Sequence, residues 1–251
     1  MNATVPSSAA ANVPSCHLLW PQGLEDLLGD GDIEAFQSPI DIPLATLPSI
    51  PTTQPLEFDF QSCQWREFNN GYAIQAVPVT VDGVDKPGGG GSFSVGDITY
   101  RVVEFHFHTP SEHTFDGRST TMELHIVGLS PANTISVVGV PLEIHESASG
   151  LASLFAPVPA EVATAINVLR LATQINLADI VPTKVAVARY VGSRTTPPYD
   201  RGVLWNVLLT PVAISSIEAT VLGRTYQADN RPVQPFCDRP IAVDTTAGQL
   251  T

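Results

Sequence analysis

The stretch "FHFHTPSEHTFDGRSTTMELHIVG", residues 105–128, has the composition of two short strands joined by a turn, and it contains four of the chain's six histidines. In a strand, residues two apart point to the same side. The run "EFHFH" therefore places Glu104, His106 and His108 on one face. Phe105 and Phe107 go to the opposite face, which we expect to be buried. The segment combines a core strand with a row of ionisable groups.

The second half of the stretch repeats this arrangement. In "TMELHIV", Glu123, His125 and Val127 share a face, and the apolar residues between them face the other way. The intervening "TPSEHTFDGRST" is rich in turn residues. Two antiparallel strands joined in this way could bring His106, His108 and His125 around one point.

Three imidazoles without a fourth protein ligand form the open pattern of a catalytic zinc site, and nitrogen ligands suit zinc. Histidines that bind a metal need a partner for the second ring nitrogen. Glu104 and Glu123 each lie two residues from a candidate ligand and could support that role. The stretch therefore predicts a metal site. The alternative is that a His-x-His pair arises by chance on an exposed strand.

A second alternative is a cupin, a β-barrel metal protein. The spacing His106-x-His108-x-x-x-Glu112 matches the first metal motif of that family. Tyr100 stands where the motif has glycine, and Gly117 follows too soon. No proline-glycine-histidine motif occurs downstream. Cupins remain the second choice for the fold.

Composition excludes several classes of function. The chain has 251 residues, and 12 basic residues oppose 25 acidic ones, for a formal net charge of −13. Nucleic acids and anionic membranes require basic patches, so neither is an expected partner. No apolar run approaches the roughly 20 residues that span a bilayer. Three cysteines are too few for a disulfide scaffold.

Short β-branched runs bounded by turn residues recur along the chain and predict a mainly β fold. They lie at residues 72–81, 93–108, 120–129, 134–144, 184–192 and 202–210. Two helices are predicted, one over residues 159–171 and one over 211–223. We find no internal repeat and no linker, which indicates one domain.

The histidine stretch closely resembles the α-class carbonic anhydrases. Four further segments match that family in the same order: "QSPIDI" (37–42), "FNNGYAI" (68–74), "YVGSRTTPP" followed by "GVLW" (190–198 and 202–205), and "DNRPVQP" (229–235). On this resemblance, residues 37–251 form the catalytic domain, and residues 1–36 are a poorly matched N-terminal segment.

The resemblance implies a single domain with a large, twisted, mostly antiparallel sheet and a few short peripheral helices. It implies one zinc ion per chain and the reversible hydration of carbon dioxide to bicarbonate and a proton by zinc-bound hydroxide. Carbon dioxide and bicarbonate would be the small-molecule partners. An inactive, carbonic anhydrase-like binding module is the alternative function. A dimer is compatible with the sequence.

The family's motifs assign roles to individual residues. The zinc ligands would be His106, His108 and His125. Thr195 would hydrogen-bond the hydroxide and pass its proton to Glu112.

The resemblance also assigns residues around the ligands. Glu104 would bond His106, and Glu123 would orient His125. A buried polar network behind the zinc would consist of His113, Tyr190 and Ser38. The pocket for carbon dioxide would consist of Val127, Val137, Val203 and Trp205, with Thr196 beside it.

Three positions depart from the family pattern. Tyr72 stands where many members have a histidine that shuttles protons, and tyrosine is a poor relay near neutral pH. Arg194 stands at the pocket rim where leucine is usual, and it predicts altered inhibition by anions. Tyr199 replaces one cysteine of the disulfide found in secreted members. A secreted, periplasmic or organelle-lumen location remains the expectation, slightly ahead of the cytoplasm.

Overall fold

The computed structural model describes residues 35–47, 54–69, 72–146, 170–171, 174–182, 184–223 and 229–249. Strands dominate this part of the chain. In chain order they are β1 (Asp41–Ile42), β2 (Leu56–Phe60), β3 (Gln64–Asn69), β4 (Ile74–Val79), β5 (Gly91–Val95), β6 (Ile98–His108), β7 (Thr114–Phe115), β8 (Arg118–Ser119), β9 (Met122–Leu129), β10 (Ile135–Ile144), β11 (Arg170–Leu171), β12 (Lys184–Ser193), β13 (Arg201–Leu208), β14 (Val212–Ile214) and β15 (Ala242–Gln249).

Helices are few and short in the described residues. Helix α1 spans Ser216–Gly223, and two 3-10 helices span Leu44–Thr46 and Leu177–Asp179. No helix in these ranges is long and apolar enough to cross a bilayer. The prediction of a mainly β fold with a large, mostly antiparallel sheet and short helices is confirmed.

Twelve strands form one large mixed sheet. Its order is β11-β3-β4-β6-β5-β2-β15-β12-β13-β10-β14, and β9 pairs with both β10 and β6. The pairings through β9 connect two strands that are also linked through β5, β2, β15, β12 and β13. The sheet therefore curls back on itself. A second, small sheet contains β1, β7 and β8.

A bulge in β6 sets the direction of the histidines. Tyr100 and Val102 are buried in the main core, and a strict period of two would place Glu104 on their face. The register with β9 shifts between Val102 and Glu104. One extra residue in a strand reverses the alternation beyond it. Phe105 consequently joins the core, and the histidine face turns to the other side of the sheet.

Both faces of the central strands are covered. The larger apolar cluster includes Phe105, Leu124 and Leu204. A smaller cluster on the other face includes Val203 and Trp205. Strands buried on both faces have nearly continuous apolar runs, as β10 and β13 do. The functional face is thus built on strands held from behind by the main core.

The two predicted helices have different outcomes. Residues 151–169 lie outside the described residues, so most of the helix predicted at 159–171 is not described. Its last two residues, Arg170–Leu171, form strand β11, paired with β3. The helix predicted from Pro211 begins only at Ser216, because Val212–Ile214 pairs with β10 as β14. Sheet pairing of β-branched residues overrode the helical spacing there.

Candidate metal centre and cleft

Strands β6 and β9 bring three imidazoles together. They are antiparallel, and His106 lies directly opposite His125. His106, His108 and His125 each offer a ring nitrogen within 4.8 Å of the other two. The closest pair is His125 Nδ1 and His106 Nε2, 3.2 Å apart. The expected meeting of these residues is therefore present in the structure.

Carboxylates orient two of the three rings. Nδ1 of His106 lies 2.9 Å from Glu104 Oε2, and Nε2 of His125 lies 3.0 Å from Glu123 Oε1. A ring nitrogen that donates to a carboxylate leaves the lone pair on the other nitrogen. These contacts therefore direct the lone pairs of His106 Nε2 and His125 Nδ1 to a common point.

Glu123 is the centre of the support behind the rings. Its Oε2 accepts the main-chain N–H groups of Glu112 (3.0 Å) and His113 (2.8 Å). Its Oε1 contacts His113 Nδ1 at 2.7 Å as well as His125. A Cβ at Gly139, which lies opposite His125, would come within 2.8 Å of this oxygen. Burial raises the pKa of Glu123, but His113 and His125 outweigh it and hold the pKa well below its usual range.

A buried polar network continues behind Glu123. His113 Nε2 lies 2.6 Å from the Tyr190 hydroxyl, which donates to Ser38 Oγ at 3.0 Å. Ser38 Oγ also accepts the main-chain N–H of Ser193 at 3.1 Å. Burial raises the pKa of Tyr190. Since His113, Tyr190 and Ser38 are all fully buried, the chain of contacts fixes the position of Glu123.

His108 has a different environment. It is buried, and neither ring nitrogen has a hydrogen-bond partner among the described residues. Burial lowers its pKa well below the usual value, and the charges of His125 and His106 lower it further. Nδ1 lies 3.8 Å from Asp229 Oδ2, whose pKa burial raises to about 6. A neutral imidazole with an unpaired nitrogen is the form that binds a metal.

Glu112 lies beside the three rings. Its Oε2 is 3.5 Å from His108 Nε2 and 3.8 Å from His125 Nδ1, and it has no hydrogen-bond partner in the described ranges. Oε1 accepts the main-chain N–H of Arg231 at 2.8 Å. Burial raises the pKa of Glu112, while His125, the Arg231 N–H and the Thr195 side chain act to lower it. Thr195 and Glu112 are therefore neighbours, in line with what the family resemblance implies.

His106 and His125 line a cleft of about 210 Å³. Its apolar wall includes Val127, Val137 and Trp205, three of the four residues predicted for the pocket. The fourth, Val203, is fully buried in the same apolar cluster as Trp205 and is not among the described residues that line the cleft. Val203 and Trp205 lie two residues apart on β13 and therefore share a face.

The polar rim contains the remaining predicted residues. Thr195, Thr196 and Arg194 line the same cleft. Tyr72 is 54% exposed and lines an adjoining cavity of about 250 Å³ together with His108, Glu112, Thr195 and Thr196. Of the three departures from the family pattern, Arg194 therefore lines the cleft, whereas Tyr72 and Tyr199 line the adjoining cavity.

Sequence reasoning missed several lining residues. Leu129 and Ile135, a directly paired couple on β9 and β10, extend the apolar wall, and Gln75 on β4 lies opposite His106. The alternation of β9 beyond Val127 was the signal for Leu129. Arg231 was part of a quoted motif, but its main-chain contact with Glu112 spans 119 positions and leaves no local signal.

Two of the three cysteines lie in the described part of the chain. Cys63 and Cys237 are both free in the structure, and Cys16 lies outside the described residues. Burial raises the pKa of Cys63 to about 11, although Lys86 acts to lower it.

Together, the curled sheet and the three converging imidazoles define a mainly β protein with a histidine cluster that could hold a metal ion. The family model for eukaryotic-type carbonic anhydrase matches residues 31–244, and the chain belongs to that family. A carbonic anhydrase of Pectobacterium carotovorum is 31% identical over 188 residues, which cover 74% of this chain and 72% of that one. A carbonic anhydrase of Neisseria gonorrhoeae is 30% identical over 206 residues, covering 82% and 76%.

A solved structure supports the fold independently. The α-carbonic anhydrase of Photobacterium profundum superimposes with a TM-score of 0.70 at 28% identity, covering 83% of this chain and 89% of that one. Because the chain belongs to this family, the alternative prediction of a cupin fold is wrong.

The residues present fit a zinc ion. Three imidazoles, which can bind a metal in their neutral form, converge from adjacent strands, and carboxylates orient two of them. The unpaired nitrogens of buried His108 would be costly without a partner, and a metal would supply one. Three nitrogen donors with space beside them are typical of zinc sites that remain open to a substrate.

Proposed function

We propose that the protein hydrates carbon dioxide reversibly to bicarbonate and a proton, as is typical of its family. The observation that carries the proposal is the convergence of three imidazoles between a cleft and an adjoining cavity, beside a threonine and a buried carboxylate. His106, His108 and His125 would hold one zinc ion. When bound, zinc would act as a Lewis acid that makes water a nucleophile near neutral pH.

Thr195 and Glu112 would orient the nucleophile. Glu112 Oε1 is already occupied by the Arg231 N–H, and Oε2 is free to accept. A threonine hydroxyl that donates its proton to a carboxylate can only accept a hydrogen bond from the attacking hydroxyl group. This arrangement would direct a lone pair of that group toward the substrate, which is an orientation effect.

The apolar wall would receive carbon dioxide. The substrate is uncharged and apolar, so a surface of valine, leucine and tryptophan side chains suits it better than a charged clamp. Val127, Val137 and Trp205 supply that surface within the cleft, and Leu129 and Ile135 extend it. The negative product would meet no charged partner on this wall.

Transfer of the proton from the site to solvent would limit the rate of turnover. The residue beside the adjoining opening is Tyr72, and phenols are poor proton acceptors near pH 7. Proton transfer would therefore depend on small buffer molecules that enter the polar cavity. Turnover is expected to rise with imidazole concentration.

Stopped-flow measurement of carbon dioxide hydration, combined with metal analysis of the purified protein, tests the proposal. We expect about one zinc ion per chain and activity that a chelator removes and added zinc restores. Bound zinc without hydration activity would instead support an inactive binding module. Iron or manganese in place of zinc would contradict the proposed metal chemistry.

A further inference from the structure

The mouth of the cleft contains one permanent positive charge. Among the described residues that line the cleft, Arg194 is the only arginine or lysine, and Glu104 is the only carboxylate. Glu104 is engaged with His106 Nδ1 at 2.9 Å. Of these two charged side chains, Glu104 is paired with a histidine of the cluster, and Arg194 is not.

The backbone of Arg194 is fixed while its side chain is not tightly held. Its main-chain N–H donates to the Asp200 carbonyl at 2.8 Å, and its carbonyl accepts from Ser193 Oγ at 2.8 Å. The side chain is 49% exposed, and Nε lies 3.9 Å from Asp200 Oδ2, which belongs to a side chain 62% exposed. Exposed pairs at this distance are weak. An incoming anion could compete with Asp200 for the guanidinium.

A second guanidinium near the site, that of Arg231, is already engaged. Arg231 Nη1 donates to Ser38 O at 2.7 Å and to Gln37 Oε1 at 2.9 Å. Its planar group also lies 3.7 Å from the centre of the Tyr199 ring. Arg231 therefore serves to fix its own segment, and Arg194 is the better candidate for a ligand.

The net negative charge of the protein increases the effect that the Arg194 guanidinium would have on an approaching anion. The chain carries a formal net charge of −13, which repels a bicarbonate ion that approaches the cleft. Carbon dioxide is neutral and does not sense this field. A planar guanidinium matches the paired oxygens of a carboxylate-like anion. One arginine could thus act on bicarbonate and leave carbon dioxide unaffected.

We propose that Arg194 is an anion-binding residue at the mouth of the cleft, which holds bicarbonate and other small monovalent anions. The identity of bicarbonate as the natural anion rests on the proposed function. The anion-binding property itself rests on the position, exposure and weak pairing of Arg194.

Calorimetric titration of the zinc-loaded protein with bicarbonate at pH 8.5, and separately with thiocyanate, tests this proposal. The titrations compare wild type with Arg194→Leu, Arg194→Lys and Asp200→Asn at ionic strengths of about 20 and 200 mM, set with the salt of a bulky anion. Arg118→Leu is the matched control, because Arg118 is exposed and lies outside the cleft lining. Thermal unfolding checks that each variant is folded.

We expect Arg194→Leu to raise the dissociation constants for both anions roughly two- to fivefold at low ionic strength. The difference between this variant and wild type should shrink at high ionic strength. Arg194→Lys should keep most of the affinity, and Asp200→Asn should increase it, since the competing carboxylate is lost. Equal constants for wild type and Arg194→Leu would overturn the proposal. An equally large loss of anion affinity in Arg118→Leu would also overturn the proposal, because the change in net charge alone would then explain the effect.

The calorimetric result is separable from catalysis. A protein that binds zinc but hydrates no carbon dioxide would refute the proposed function. The same protein would still report whether anion affinity depends on Arg194. An active enzyme with unchanged anion affinity in Arg194→Leu would refute only the role of Arg194.

Discussion

Glu123 and Leu124 are neighbours on β9, and both are fully buried, yet they belong to opposite faces with different tasks. Leu124 packs in the main apolar cluster with Phe105 and Ile126. Glu123 faces the histidines and is bonded to His113, His125 and the main chain of Glu112. The apolar face is held by packing, which is non-directional. The polar face is held by directional contacts, which determine where the ring nitrogens point.

The largest expected effect comes from removing a ligand on the polar face. His108→Ala should reduce zinc affinity by more than the roughly 10- to 100-fold that is typical of losing a supporting partner, and carbon dioxide hydration should fall accordingly. Metal analysis after dialysis and stopped-flow assays measure both quantities. His145→Ala is the control, because His145 is an exposed histidine outside the cluster. Full zinc occupancy in His108→Ala would contradict the assignment of this residue.

The comparison of the two faces is tested most directly by substituting Glu123 and Leu124 in turn. Each carboxylate oxygen of Glu123 contacts two nitrogen donors. Glu123→Gln replaces one of these oxygens by an amide N–H₂ group, which cannot accept, so the rings of His113 and His125 should lose their orientation. We expect a 10- to 100-fold loss of zinc affinity. Leu124→Ala should lower the free energy of unfolding by about 2–5 kcal/mol through the cavity it leaves.

The distinguishing measurement is zinc affinity in both variants, obtained by competition with a chelator and paired with urea unfolding. Leu124→Ala should bind zinc nearly as well as wild type while it is folded. If both variants lost zinc affinity equally, the two faces would not have separate tasks.

An intermediate effect is expected at the rim of the polar face. Tyr72→His should increase turnover by about tenfold in dilute buffer, because imidazole titrates near neutral pH and can relay the proton. In concentrated imidazole buffer the two proteins should converge. Tyr72→Phe controls for loss of the phenol hydroxyl. Turnover that depends neither on buffer concentration nor on this substitution would show that proton export does not limit the rate.

The smallest effect on function is expected from a tyrosine on the apolar face. Burial raises the pKa of Tyr100 to about 12, although Thr134 and Arg189 act to lower it. The unfolded chain releases this proton near pH 10, whereas the folded chain retains it. The stabilising contribution is therefore complete below pH 10 and is lost as the pH rises toward 12.

Urea unfolding of wild type and Tyr100→Phe at pH 8 and pH 11 measures this contribution. The wild type should lose about 1–2 kcal/mol more than the variant between the two values. Parallel losses in the two proteins would place the alkaline sensitivity elsewhere, for example at Tyr190, whose pKa burial also raises.

Much of the site could be predicted from local alternation. The spacing of His106 and His108 on β6, and of Glu123 and His125 on β9, determines which side chains share a face once strands are assumed. The resemblance of five ordered segments supplied the partners from distant parts of the chain. Glu104, His113, Tyr190 and Ser38 then make contacts that the sequence had suggested.

Other features depend on tertiary structure and have no local signal. The bulge before Glu104 reverses the alternation of β6, and nothing in the residue types marks it. The segment after Pro211 has helical spacing but pairs with β10, because an available strand edge outweighs a weak propensity. The burial of Val203 likewise depends on packing against residues distant in the sequence, such as Ile40 and Ile241.

The position of β15 in the sheet has a consequence for synthesis on the ribosome. This strand lies between β2 and β12 and is the last described strand of the chain, so the curled sheet cannot close until residue 249 has been made. The two strands that carry the histidines, β6 and β9, pair with each other and are separated in the chain only by the short strands β7 and β8, so both emerge long before β15. A nascent chain would thus expose the paired strands β6 and β9 before the last described strand of the sheet has been made. Such chains are prone to association, and their yield in a cell would depend on chaperones during that interval.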